Sequence, residues 1–361
     1  MKKIVALALA LVMLMGLAAC GAAPAADPSA PTTGDTNTAP AADANYPTPE
    51  KPLTLKLGHV GPPKSSLDES AQFIANYINE KTNGAIKIEV YPQGQLGDAI
   101  TMMDGLTNGT LECAMVGANE IATMIPDFYA LRLPFLFNDF PEFFAIAQDE
   151  ELLAKCNELT DAKGFQTLGF TSGIARGFNN TKRAIHVADD CAGLKIRIMS
   201  GSIYVDIFEA LGCTTSTMAF GECYSALQQG VIDGEDNDAD MMVTMKFMEV
   251  EKYHTELNCT VQSNPLLVSN EYWDMLSPEQ QQIFRDAVSE WCASYIEFFK
   301  TTQAERLATL EENGVDIVYP TAEEKQTFKD ATAAVYEKYS ANISPDFMDL
   351  VLAKLDAYRA G

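Results

Sequence analysis

Lys195-Ile196-Arg197-Ile198-Met199 is the stretch on which the reading of the fold turns. Apolar and charged side chains alternate along it, the two-residue period of a strand, with Ile196 and Ile198 on one face and Arg197 on the other. Helical spacing follows from about Ser202 to Leu211, a second helix suits Phe220 to Gln229, and Val231 to Glu235 returns to strand. Outward from this segment the same alternation continues. Leu53–His59, Ala85–Tyr91, Glu112–Gly117, Phe165–Thr171 and Pro265–Ser269 read as strands, and Gly97–Leu106 as a helix. Between the first two strands Ala71, Ile74, Ala75 and Ile78 recur at helical intervals. Strand and helix in alternation predict an α/β protein with largely parallel sheets.

The run from Pro278 to Asn313 predicts one long helix. Ser277 caps it, Pro278 suits its first turn, Gln280 completes a Ser-x-x-Gln capping box, and Gly314 supplies the left-handed stop. Phe284, Val288, Trp291, Tyr295, Phe298 and Phe299 keep an apolar stripe at helical period. Such a helix is roughly 50 Å long, more than one small domain is wide, so it is expected to lie across two lobes. Shorter helices are predicted over Thr321–Tyr339, where Thr321 and Glu324 form another capping box, and over Ser344–Tyr358. No internal repeat is present.

The first 20 residues read as a secretory signal. Lys2 and Lys3 precede an apolar run from Ile4 to Met15, too short to span a bilayer, and Leu17-Ala18-Ala19-Cys20 follows. That ending resembles the lipobox of bacterial lipoproteins, which would make Cys20 the lipidated first residue of a tethered protein. Residues 21–50 are rich in Ala, Pro, Thr, Asp and Asn, with few large apolar groups to bury, and are expected to form a flexible stalk.

Composition narrows the partners. With 50 acidic against 25 basic residues and a formal charge of −25, the 361-residue chain lacks the basic surface that a phosphate backbone requires, which disfavours nucleic acid. The same charge repels an anionic ligand at long range, so an anion site must be built locally from placed arginines. Cys113, Cys156, Cys191, Cys213, Cys223, Cys259 and Cys292 are odd in number and show neither a disulfide framework nor a Cys-x-x-Cys pair. They are expected to be buried as small apolar side chains. With His59, His186 and His254 as the only histidines, a zinc site is not expected.

Catalytic signatures are missing: there is no Gly-x-Ser-x-Gly, His-Glu-x-x-His, phosphate-binding glycine loop or Gly-x-Gly-x-x-Gly. Asp236, Asp238 and Asp240 would fill positions 1, 3 and 5 of a calcium loop. Met241 then stands where glycine is needed and Phe247 where the bidentate Glu belongs, so no metal is expected. Anion capture remains. Of the seven arginines, Arg197 alone lies inside a strand flanked by isoleucines, and its planar fork suits a carboxylate through two parallel hydrogen bonds. From the pattern alone, a structural ion pair and a ligand site stay equally open.

Several separate motifs resolve this by resemblance. Gly193-Leu194-Lys195-Ile196-Arg197, Phe208-Glu209-Ala210-Leu211-Gly212 and Met218-Ala219-Phe220-Gly221-Glu222 stand in order, followed by Tyr224-Ser225-Ala226-Leu227-Gln228-Gln229-Gly230-Val231-Ile232-Asp233-Gly234. Upstream are Tyr91-Pro92-Gln93-Gly94-Gln95-Leu96-Gly97-Asp98 and Leu133-Pro134-Phe135-Leu136-Phe137; downstream are Leu267-Val268-Ser269-Asn270 and Leu276-Ser277-Pro278-Glu279. Over residues 53–320 the chain resembles the solute-binding subunits of TRAP (tripartite ATP-independent periplasmic) transporters, the DctP family.

The resemblance implies a periplasmic-binding-protein-like fold, two α/β lobes around a ligand cleft with the long helix spanning both. The expected division is 51–173 with 263–301 for one lobe and 174–262 with 302–361 for the other. It implies a monomeric, non-enzymatic receptor without cofactor that delivers a small carboxylate, a sugar acid or a dicarboxylate or keto acid, to a membrane permease. Arg197 is expected to grip the ligand carboxylate, Arg176 to assist, Asn237 to contact the ligand and Phe220 to pack beside it. Asp236 replaces the usual Glu of the family's Asp-Gly-x-Glu-Asn motif beside the site, and Asp238 adds charge at the cleft edge. The rival readings are an ABC-type binding lipoprotein and a surface lipoprotein enzyme acting on sugar acids.

Overall fold

The computed structural model describes residues 46–199 and 202–361; the expected signal peptide, Cys20 and most of the expected stalk lie outside the described residues. Two sheets form the body. In the first, β1 (Leu53–His59) lies between β2 (Ile86–Tyr91) and β3 (Cys113–Met115), parallel to both. β4 (Phe165–Ala175) and β10 (Val261–Ser269) complete it in the order β2-β1-β3-β10-β4, with β10 antiparallel to both its neighbours. The second sheet runs β11-β9-β5-β8-β6-β7. Its strands are β5 (Phe178–Asn180), β6 (Lys195–Ile198), β7 (Thr214–Thr217), β8 (Gly234–Glu235), β9 (Tyr253–Thr255) and β11 (Asp316–Val318).

Both sheets are mixed rather than largely parallel, and the connection between them is the reason. The chain leaves the first sheet at the end of β4, enters the second as β5, and returns from β9 into β10, so the outgoing and returning strands pair antiparallel in each sheet. Gly173 sits where β4 runs close against β10. A Cβ there would collide with the main-chain oxygen of Gln262, so only glycine permits the approach.

The predicted long helix spans Pro278–Glu312, about 52 Å at 1.5 Å per residue. Its capping box forms as read: Gln280 N donates to Ser277 Oγ at 3.1 Å and Ser277 N to Gln280 Oε1 at 3.0 Å. The helix packs on β4 and on the helix Ser66–Lys81 beside the first sheet, then on the helix Ala239–Thr244 and β11 beside the second, and so bridges the two lobes. Its apolar stripe anchors the crossing. Trp291 Nε1 donates to Thr171 O at 2.6 Å, and Tyr295 Oη donates to Gly173 O and accepts from Gly173 N, each at 3.1 Å. Phe140, Phe144 and Phe299 surround Tyr295 with ring centroids 5.2–6.5 Å away. The helix is thus hydrogen-bonded and packed to the crossing strand β4 near Gly173.

The seven cysteines of the described residues are all buried and unbridged. No described helix is long and apolar enough to cross a membrane.

Candidate functional site

A cavity of about 350 Å³ opens between the sheets, in the size range of small-molecule sites. The first lobe lines it with Ser66, Gln93 and Glu120, the second with Arg197, Phe220 and Asn237, and Gln262 and Asn264 reach it from the crossing strand β10. The cavity therefore has polar groups from both lobes and from the strand that crosses between them.

Arg197 is presented by β6, whose alternation turns Ile196 and Ile198 into the core and the guanidinium toward the cavity. The residue is 4% exposed. Nε and Nη2 donate to Met218 O at 3.2 and 2.9 Å, and the guanidinium lies 5.5 Å over the Phe220 ring. No described residue accepts from Nη1, and Arg197 has no ion pair among the described residues. A nearly buried cation held along one edge, with the other edge on a cavity, is stabilised when an anion docks there. Phe220 itself is half-buried and stacks edge-on against Phe247 at 5.8 Å.

Arg176 and Asp236, expected to reach the ligand, lie behind the cavity wall. Arg176 is 1% exposed, and its Nε meets Asp236 Oδ2 at 2.6 Å. Nη2 donates to the Asp236 main-chain oxygen and Nη1 to Gln262 Oε1. Burial alone would lower the Arg176 pKa, but the adjacent Asp236 carboxylate holds it above its ordinary value. The two buried charges pair with one another, and neither residue lines the cavity. With Oε1 occupied by Arg176, the amide nitrogen of Gln262 donates to Asn264 Oδ1, 3.5 Å away, and both Gln262 and Asn264 line the cavity.

Asn237 does line the cavity. Its Nδ2 donates to Glu235 Oε2, and Glu235 Oε1 accepts from Asn179 Nδ2 at 2.7 Å. The other members of the acidic segment are each committed elsewhere. Asp238 caps the helix Ala239–Thr244 by accepting from Met241 N at 3.0 Å. Asp240 pairs with Arg306 Nε at 2.9 Å and accepts from Ser66 N of the opposite lobe at 3.3 Å. Among the described residues no group of His, Cys, Asp or Glu is placed to hold a metal.

Two cavity residues, Glu120 and Gln262, and one buried cation, Arg132, escaped the sequence reading. Arg132 is fully buried, its guanidinium 5.3 Å over the Tyr204 ring, donating from Nη1 to Val261 O; burial, then the neighbouring Arg176, pulls its pKa down to about 9. Its signal was a lone charge in Leu131-Arg132-Leu133. Glu120 was the one charged residue between Ala118 and Ile125, and Gln262 one of two amides, with Asn264, in a largely apolar strand. Burial raises the Glu120 pKa, while its own main-chain N–H and Arg132, Arg176 and Arg197 act in the opposite sense.

Residues 57–342 match the family described as "Bacterial extracellular solute-binding protein, family 7" (DctP). The chain is 27% identical over 301 residues to the sialic acid-binding periplasmic protein SiaP of Vibrio cholerae, covering 83% of this chain and 92% of that one. Among solved structures it is similar to a TRAP periplasmic solute binding protein from Sulfitobacter with bound β-D-galacturonate. The identity there is 26% and the TM-score 0.76, over 83% of this chain and 98% of the other. It also shares its fold with the sugar acid binding protein of Advenella mimigardefordensis in complex with galactonate, at 24% identity and TM-score 0.80 over 85% and 99%.

Proposed function

The chain belongs to the DctP family of bacterial extracellular solute-binding proteins, the receptors of TRAP transporters, and on that premise we propose that it captures a small carboxylate through Arg197. Family membership sets aside the enzyme and ABC-type readings: this is a non-enzymatic solute receptor. The observation that carries the carboxylate assignment is the Arg197 guanidinium. It is almost wholly buried, fixed to Met218 O along one edge, free of any ion pair among the described residues, and on the wall of a cavity of about 350 Å³. A planar fork in that setting pairs with a carboxylate far better than with a neutral group. Sialic acid and galacturonate, the solutes named for two of the relatives, are both acids.

In this reading Phe220 and Asn237 contact the ligand beside Arg197, and the buried Arg176–Asp236 pair sets the orientation of Gln262. The lobes, 51–173 with 263–301 and 174–262 with 302–361, close over the ligand by hinge motion, because contacts from both are made together only in the closed state. The closed receptor delivers its acid to the membrane permease, and a lipid on Cys20 keeps it at the extracytoplasmic face of the membrane.

A thermal-shift screen over sugar acids, keto acids and dicarboxylates tests the assignment. A ligand that binds only the folded state raises the melting temperature, by the equivalent of about 2.7 kcal/mol at a hundredfold excess over Kd. If neutral sugars shift the protein and no acid does, the carboxylate reading fails. Lipidation is tested separately: Cys20→Ala is expected to release the protein from the membrane fraction.

A further inference from the structure

Glu120 is a carboxyl with an unused oxygen on the cavity wall. The residue is 5% exposed and lines the cavity, and its Oε2, closed off from bulk water, has no hydrogen-bond partner among the described residues. Gly117 makes room for it: a Cβ on that residue would stand 2.5 Å from Glu120 Oε2 and 3.5 Å from Gln262 Nε2. The carboxyl therefore sits against the same stretch of wall as the Gln262 amide. Arg132, Arg176 and Arg197 are near enough to favour its charged form, yet none closes an ion pair with it among the described residues. A buried acceptor left without a partner is costly unless a donor arrives, and Glu120 lines the cavity that a ligand's donors would enter.

We propose that Glu120 recognises hydroxyl groups of the bound acid, so that this receptor selects a polyhydroxylated monocarboxylate over an unsubstituted dicarboxylate. The proposal rests on Arg197 as the carboxylate anchor and adds what the rest of the cavity reads. A hydroxyl donates to Oε2 and can accept from the amide nitrogen of Gln262; a methylene chain leaves Oε2 unpaired. A second carboxylate brings two acids together in a poorly solvated space, where one must take up a proton or both are disfavoured. Arg197 meets the first carboxylate, and the Glu120 carboxyl itself repels a second one placed against it.

Calorimetry with D-glucuronate, D-galacturonate, galactonate and succinate tests this on the purified protein. At least one hydroxylated acid is expected to bind about 100-fold more tightly than succinate, as a charged hydrogen bond and a like-charge penalty together allow. Glu120→Ala is expected to weaken that acid by about 10- to 100-fold and to leave succinate unchanged or improved. Glu120→Gln, which keeps the shape and can still meet a hydroxyl, is expected to lose less of the hydroxylated acid and to gain succinate. It stands in if the alanine variant melts early. Arg197→Ala separates the two levels of the reading, because it is expected to weaken every acid in the panel. If succinate binds the wild type as tightly as the best hydroxylated acid, or the preference survives both Glu120 substitutions, the Glu120 assignment is overturned while the carboxylate receptor stands. If none of the four binds, or Arg197→Ala changes nothing, the anchor itself is wrong and the Glu120 assignment falls with it.

Discussion

The guanidinium of Arg197 lies 5.5 Å over the ring of Phe220, and it is pinned there because Nε and Nη2 both donate to the carbonyl of Met218, two residues before that ring. The ring and the carbonyl together fix one face and one edge of the fork, so a carboxylate meets a pre-oriented partner. Arg197→Ala and Arg197→Lys are both expected to weaken acid binding by more than 100-fold, because lysine offers a point charge without the fork. Both variants should still fold, since the bonds to Met218 O are lost but no ion pair is broken. Calorimetry with the best acid from the thermal-shift screen checks this, and an unchanged Kd in either variant would refute the anchor.

Arg176 and Asp236 behave oppositely. Their side chains are 1% and 3% exposed, and they meet at 2.6 Å. Removing one leaves the other buried and uncompensated, so Arg176→Met or Asp236→Leu alone is expected to cost about 3–5 kcal/mol of unfolding free energy. The double variant is expected to recover much of that loss, because two apolar side chains of similar bulk replace a pair that had already lost its hydration. Urea unfolding of the three variants measures the coupling. Additive losses would show that the two groups do not depend on one another.

These contrasts mark what the sequence discloses and what it hides. The caps at Ser277 and Gln280, and the alternation around Arg197, are local signals, and the structure follows them. The Arg176–Asp236 pair joins residues 60 apart across the crossing strands, and no local pattern encodes that. The acidic segment misleads in the other direction. Asp236, Asp238 and Asp240 look like one ligand set in sequence, but the fold hands them to Arg176, to a helix cap and to Arg306 in turn. Mixed sheets replaced the expected parallel ones for a similar reason, since the strand pairing is set where the chain crosses between lobes. Glu120 was invisible because a lone acid in a short helix has no pattern until its neighbours in space are known.

The thiols offer a check on the core. All seven cysteines of the described residues are buried, and burial pushes Cys223 and Cys292 up to about 12. Thiolate is the reactive form, so none should react readily with a disulfide reagent in the folded protein. In a Cys20→Ala background we expect little colour from 5,5′-dithiobis(2-nitrobenzoate) until urea unfolds the chain, followed by release from every thiol. A reducing agent should leave the melting temperature unchanged. A thiol that reacts within seconds in the native state would contradict the burial of that cysteine.

Asp238 supplies a pH dependence with a definite sign. Its carboxyl is pushed up to about 8, first by burial and then by Asp240, while the Met241 N–H pulls the other way. A pKa raised in the folded state means that between about pH 4 and pH 8 the native protein holds a proton which the unfolded chain has released. Stability from this group is complete below the unfolded pKa and is lost as pH rises through the folded one, at a limiting slope of about 1.4 kcal/mol per pH unit. Asp238→Asn keeps a side-chain oxygen to cap the helix Ala239–Thr244 and removes the titration. The variant should therefore gain on the wild type as pH rises from 5 to 8, and be the more stable of the two at the upper end. Urea unfolding at intervals across that range decides the matter, because parallel stability curves would mean that Asp238 is already ionised in the folded protein.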